Sequence, residues 1–165
     1  MVPIKNILVP TDFSEPADAA LQYAKTLAIE FKSQMHLLHV VSEPYVYPWG
    51  TDVPAVPIAE LLTQSEDAAS ERLTQLAQAT PELAGRITVE TEVGTPVERI
   101  LDYIGTRHID LVVIGTHGRG MVGHLLLGSV AERVVRRSPV PVLTVHRTPR
   151  PADVTVARQE AGAVS

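Results

Sequence analysis

Apolar residues in this chain alternate between short runs that are apolar throughout and longer runs that are apolar every third or fourth residue. Ile4, Ile7, Leu8 and Val9 mark a first strand over 4–10, and Pro10, which has no N–H to give, stops its ladder. Ser14 then stands where an N-cap belongs, with Glu15 and Pro16 in the first turn. Ala17, Ala20, Leu21, Ala24, Leu27, Ala28 and Phe31 follow at helical spacing, so a helix over about 15–32 lays that face on a sheet. Met35 to Val41 is a second strand. A second helix covers about 58–79, with Ile58, Leu61, Leu62, Ala68, Ala69, Leu73, Leu76 and Ala77 inward and its acidic run on a solvated face.

From Arg86 to Val93, Ile87, Val89, Thr91 and Val93 alternate strictly with Thr88, Glu90 and Glu92, which predicts a strand with one wet face at a sheet edge. Thr95-Pro96-Val97-Glu98 has the form of a capping box with proline at the first helical position. It opens a helix whose core stripe is Val97, Ile100, Leu101 and Ile104. Asp110 to Ile114 is too short for a helix and apolar on both faces, the mark of a buried strand. Val130, Val134 and Val135 share one side of a fourth helix that ends in Arg136 and Arg137, and Val140 to His146 is a fifth strand.

Strands alternating with helices and joined by right-handed crossovers require a mostly parallel sheet covered on both faces, here in one α/β domain without repeats. Two stretches stand outside the alternation. Ser42 to Pro57 carries four prolines with Tyr45, Tyr47 and Trp49 and has no period, so it is a long loop, either a lid or a proline-stiffened connection. Thr148 to Ser165 reads as a loosely ordered tail.

The organising stretch is 115–130, Gly115-Thr-His-Gly118-Arg-Gly120-Met-Val-Gly123-His-Leu-Leu-Leu-Gly128-Ser129-Val130. Strand, glycine loop and helix in that order put unpaired backbone N–H groups and the positive end of a helix dipole around one small volume, which suits a phosphate. No Gly-Lys-Ser/Thr ends the loop, so a Walker cradle is absent. Gly118-x-Gly120-x-x-Gly123 matches the dinucleotide fingerprint, but Pro139 to His146 holds no Asp or Glu to grip a ribose.

The spacing that fits is Gly115-x-x-Gly118, nine residues, then Gly128-Ser129. With Pro10-Thr11-Asp12 after the first strand, Leu38-His39-Val40 ending the second and Ser138-Pro139-Val140-Pro141-Val142 near the close, the chain resembles the nucleotide-binding branch of the universal stress protein family, UspA-like, over about Pro3 to Arg147. That resemblance implies a five-stranded parallel open sheet of order 3-2-1-4-5 with helices on both faces, of the Rossmann-like, adenine-nucleotide alpha hydrolase-like kind, in a domain over 1–147. It implies an adenine nucleotide as ligand, ATP or AMP/ADP, with Mg2+ or Mn2+ as a possible companion. The Pro10, Thr11 and Asp12 turn and the backbone of Val40 would frame adenine and ribose. Ser129 and the N–H groups of Ser129 and Val130 would hold phosphate oxygens. The implied nucleotide-binding set also takes in Gly115, Thr116, His117, Gly118, Arg119, Gly120, Met121 and Gly128, with Arg119 placed to neutralise phosphate charge. The implied role is a stress-response regulatory or signalling module with an unidentified protein partner.

Several of these residues keep a plainer alternative. Gly115 and Gly118 serve a tight turn with or without a ligand. Ser129-x-x-Glu132 is a capping box in its own right. Asp12 can accept hydrogen bonds from a nucleotide, help hold a divalent cation or cap the first helix. His117 and His124 have neither a known metal-ligand spacing nor acidic partners nearby, so packing or solvent-facing histidines are the better reading. Phosphoryl transfer to water needs a group to orient the water, and no carboxylate or glutamine lies inside the loop. A binding module comes first; a slow nucleotide hydrolase and a nucleotide-independent structural dimer follow.

Composition narrows the partners. A formal charge of −5 argues against nucleic acid and anionic membranes, because phosphate backbones recruit basic surfaces. Zero cysteines exclude a disulfide framework. The start, Met-Val-Pro-Ile-Lys-Asn, lacks the form of a signal peptide, and no run reaches the roughly 18 apolar residues of a membrane span. The expectation is a cytoplasmic protein. Val140 to Val145 is strongly β-prone, contains a proline and comes last, so it belongs at an edge, where an isologous pairing with its own copy would satisfy its open donors and acceptors. The family resemblance implies the same homodimer.

Overall fold

The computed structural model describes residues 3–43, 58–116 and 128–146. In chain order these form β1 (Asn6–Pro10), α1 (Glu15–Phe31), β2 (Gln34–Val41), α2 (Ile58–Gln78), a single 3-10 turn (Pro81–Leu83), β3 (Ile87–Val93), α3 (Pro96–Thr106), β4 (Leu111–Gly115), α4 (Ser129–Arg137) and β5 (Val142–Val145). The five strands make one sheet of order β3-β2-β1-β4-β5, and every neighbouring pair is parallel. Both the alternation and the order expected from sequence are therefore found. Residues 44–57 of the expected loop Ser42 to Pro57 and the whole expected tail Thr148 to Ser165 lie outside the described residues.

Alternate residues of the central strands feed two separate cores, which is why β1 and β4 are apolar without alternation. Ile7, Val9, Met35, Leu37 and Val113 pack under α1 and α2, while Leu8, Leu38, Val112 and Ile114 pack under α3 and α4. Ser14 caps α1 as expected: its hydroxyl accepts from the Ala17 N–H at 3.4 Å, and Pro16 stands in the first turn.

Five expectations of inward-facing residues fail. Phe31, Ile58, Leu61 and Val135 are 46, 40, 46 and 42% exposed, and Ala68 is exposed as well. Length explains α2, because 21 residues of helix run about 31 Å whereas 7 or 8 residues of strand run roughly 23 to 26 Å. The helix overshoots the sheet, and only Ala69 and Leu73, in its second half, are fully buried. On α3 the core stripe includes Tyr103, 1% exposed, while Leu101 is only partly buried.

Neither capping box forms. Thr95 is the N-cap of α3, but its side chain makes no capping bond; Glu98 instead accepts two bonds from Arg137, at 2.7 and 3.1 Å, and ties α3 to the end of α4. Helix α4 begins at Ser129, so Gly128 is the N-cap, and Glu132 pairs with Arg136 at 3.0 Å.

Candidate functional site

Strands β1 and β4 are neighbours in the middle of the sheet, yet α1 after β1 packs on one face and α4 after β4 on the other. Chains that diverge in this way leave a crevice at the carboxyl ends of the two strands. A cavity of about 310 Å³ lies there, near the lower end of the range usual for small-molecule sites.

The first wall is the β1–α1 turn. Thr11 is buried, and its N–H donates to the Leu38 carbonyl at 2.9 Å, carrying the β1–β2 pairing one residue past the strand. Its hydroxyl accepts from the Phe13 N–H at 3.0 Å, and its carbonyl sits 2.8 Å from Nδ1 of His39. A carbonyl only accepts, so Nδ1 of His39 carries the proton. Asp12 Oδ1 accepts from both the N–H and the hydroxyl of Ser14, at 3.1 and 2.6 Å. Asp12 thus braces the cap residue rather than capping α1 itself.

The second wall follows β4. Thr116, buried, donates its N–H to the Val145 carbonyl at 2.9 Å, accepts at its own carbonyl from the Gly128 N–H, and places its hydroxyl 3.0 Å from Nδ1 of His146. The two ends of the glycine stretch are therefore stitched to each other and to β5. Gly128, buried in an extended conformation, delivers the chain to Ser129, and the N–H groups of Ser129, Val130 and Ala131, in the first turn of α4, have no acceptor within their own helix. Three donors and a dipole end converge at the crevice.

Gly115 has a different reason from the one its sequence suggests. A Cβ there would lie 2.6 Å from both the carbonyl carbon and oxygen of Pro16 and 2.9 Å from the Ala17 nitrogen. The first turn of α1 crosses β4 against its backbone, a requirement for glycine that holds whether or not a ligand approaches it.

Of the residues expected at a nucleotide site, Pro10, Thr11, Asp12, Val40, Gly115, Thr116, Gly128, Ser129 and Val130 line the crevice. His117, Gly118, Arg119, Gly120 and Met121 lie outside the described residues. The sequence reading missed Pro96 and Ile100 of α3, Ala131 of α4 and Ile114 of β4, which complete the apolar side. Their pattern marks them as cap or core, and only the packing of α3 and α4 on the sheet brings them to the opening. Asp12 and His39 are the ionisable side chains among the described lining residues. Among the described residues no three His, Cys, Asp or Glu gather in a way that could hold a metal ion by themselves.

Comparison with known proteins gives one consistent result. The sequence model of the universal stress protein family matches residues 3–146. Universal stress protein MJ0531 of Methanocaldococcus jannaschii is 32% identical over 145 residues, which is 87% of this chain and 82% of that one. Among solved structures, universal stress protein UspA from Lactobacillus plantarum superposes with a TM-score of 0.70 at 28% identity, covering 88% of this chain and 100% of that chain. A universal stress protein in complex with cAMP has the same fold, with a TM-score of 0.64 at 24% identity over 89% of this chain and 100% of that one.

Proposed function

Because the chain belongs to the universal stress protein family, we propose that its crevice binds an adenine nucleotide and that the protein works as a nucleotide-dependent regulatory module in a stress response. The observation that carries this reading is the convergence at one crevice of the N–H groups opening α4, which have no acceptor within their own helix, with the Thr11–Asp12 turn and Val40. Backbone donors suit phosphate oxygens, the turn and strand edge suit ribose and base, and Pro96, Ile100 and Ala131 offer an apolar surface for a flat ring. A protein of this fold holding cAMP is in keeping with it. ATP, AMP and ADP all meet this chemistry; Mg2+ or Mn2+ would enter with the phosphates, with Asp12 as the carboxylate at hand.

Binding is favoured over hydrolysis because Asp12, the one carboxylate among the described lining residues, is already engaged by Ser14. A homodimer through β5, a regulatory protein partner and a cytoplasmic location belong to the same proposal; no described helix is long and apolar enough to cross a membrane.

The test is direct. Denatured protein is examined for released nucleotide by absorbance and mass spectrometry, and ATP with Mg2+ is titrated into the stripped protein. Saturable binding with phosphate release far below the roughly 10 per second typical of enzymes is expected. No binding up to millimolar ATP would overturn the reading, and turnover near that rate, lost in Asp12→Asn with binding retained, would replace it with an enzyme.

A further inference from the structure

Phe13 does not line the crevice, but its backbone is left-handed, with φ of 62°. A non-glycine residue pays for that conformation in sterics, so something around it must hold it there. Its ring lies 4.6 Å from that of His39, centroid to centroid, tilted by 30°. The guanidinium of Arg72, from α2, lies 4.5 Å from the ring centroid. Its N–H is tied to the Thr11 hydroxyl and its ring packs on the α1–α2 core. His39 is at the same time bonded to the Thr11 carbonyl.

We infer that Phe13, held by His39 and Arg72, is the positioning residue that keeps Thr11 and Asp12 in the conformation the crevice requires, and that ligand affinity depends on these contacts although neither Phe13 nor Arg72 lines the crevice. The inference rests on the nucleotide reading of the crevice, and it goes beyond that reading by placing control of the turn on the opposite face of the sheet. Thr11 and Asp12 are flanked by β1 and by the Ser14 cap, both fixed, so the peptide between them has few arrangements. Phe13 selects one. With its ring removed and its Cβ kept, the left-handed state loses its support but keeps its cost. With both removed, the cost goes as well, since glycine adopts that state freely. Arg72 extends the hold to α2, so a displacement of that helix would reach the turn through one cation–ring contact.

The test compares Phe13→Ala, Phe13→Gly and Arg72→Ala with the unmodified protein by calorimetric titration of ATP with Mg2+ and by amide hydrogen exchange without ligand. Phe13→Ala should weaken binding on the order of tenfold, Phe13→Gly by less, and Arg72→Ala roughly two- to fivefold. Packing alone would make glycine at least as damaging as alanine, so the order of the two variants reads the backbone state rather than the loss of the ring. In ligand-free Phe13→Ala, the amides of Phe13 and Ser14, which the turn bonds to Thr11 and Asp12, should exchange faster while those in the middle of α1 are unchanged. Unaltered exchange at Phe13 and Ser14, or glycine binding no better than alanine, would overturn the inference. Faster exchange at these two amides in a protein that binds no ATP even unmodified would leave Phe13's hold on the turn standing and refute the nucleotide reading instead.

Discussion

Replacing Gly115 by alanine asks whether this glycine serves the ligand or the fold. Its φ is not left-handed, so alanine meets no backbone strain, and the whole cost is the Cβ. That atom would stand 2.6 Å from Pro16 C and O, and ordinary contact begins at 3.4 Å, so about 0.8 Å must be found. The obstacle is backbone in the first turn of α1, fixed by Pro16 and the Ser14 cap, not the end of a flexible side chain. Helix α1 sits this close because the face it turns inward carries Ala17, Ala20, Ala24 and Ala28, all buried. Forcing a methyl into such a contact costs about 1–3 kcal/mol, and about 0.4–1 kcal/mol is returned because alanine stiffens the unfolded chain. A net loss of about 1–2 kcal/mol should lower the melting temperature by roughly 2–8 °C for a chain of this size. Urea and thermal unfolding of nucleotide-stripped Gly115→Ala measure it. A change within about 0.5 kcal/mol, with nucleotide binding abolished, would mean that the glycine exists for the ligand and that the close helix crossing is misjudged.

Two further outcomes follow from other parts of the molecule. Burial first, and then the Arg107 guanidinium, hold the His36 imidazole below its ordinary range against the opposing pull of Glu90; the folded state therefore resists protonation more than the unfolded chain does, and the stability His36 secures above about pH 6.5 is lost as pH falls below that value. The melting temperature should drop between pH 7.5 and 5.5, and the drop should shrink in His36→Leu; equal slopes in the two proteins would refute it. Light scattering of the unmodified protein should give about twice the 17.9 kDa chain mass, and Leu143→Pro, at a position 38% exposed on the outermost strand, should give monomer or aggregate; a monodisperse unmodified monomer would remove β5 as the interface.

The same His36 marks where the pattern of the chain stopped being readable. On a strand that is otherwise apolar it looks like a tolerated exception, yet it faces Tyr103, whose hydroxyl is 3.2 Å from its Nδ1 and donates to Glu90 at 3.2 Å. Glu90 in turn accepts two bonds from Arg107, at 2.8 and 2.9 Å. The hydroxyl has one proton, so with Glu90 taking it Nδ1 of His36 donates, and Nε2 is left buried without a partner among the described residues. Glu90 belongs to the alternation of β3 and Tyr103 to the face of α3, and nothing in either period says that they meet. Periodicity reports which side of its own element a residue takes; which other element waits there depends on the crossover. For that reason the strands and helices were legible from the pattern and the sheet order only through the family resemblance, while the exposure of Ile58 and Leu61 and the burial of Tyr103 were not.

The crevice divides in the same way. Residues whose backbone does the work announce themselves by breaking a pattern: Pro10 is the last residue of its strand, Gly128 precedes a helix, and Thr11-Asp12 interrupts two apolar runs. Residues that contribute an apolar surface, such as Ile100 and Ala131, obey their pattern and stay hidden. Gly115 is the case that separates recognition from explanation, since its position in the glycine spacing was noticed for a phosphate and its atoms answer to a helix. The two reasons are not independent. A Cβ-free crossing lets α1 lie against β4, so that Ala17 of its first turn reaches the crevice lining and the Thr11–Asp12 turn comes beside Thr116 and the start of α4. Widening that crossing would separate the two walls of the crevice even though no ligand touches the added methyl. Loss of affinity on substituting a glycine here is thus no proof of contact with phosphate, and the stability of the stripped protein is the quantity that tells the two apart.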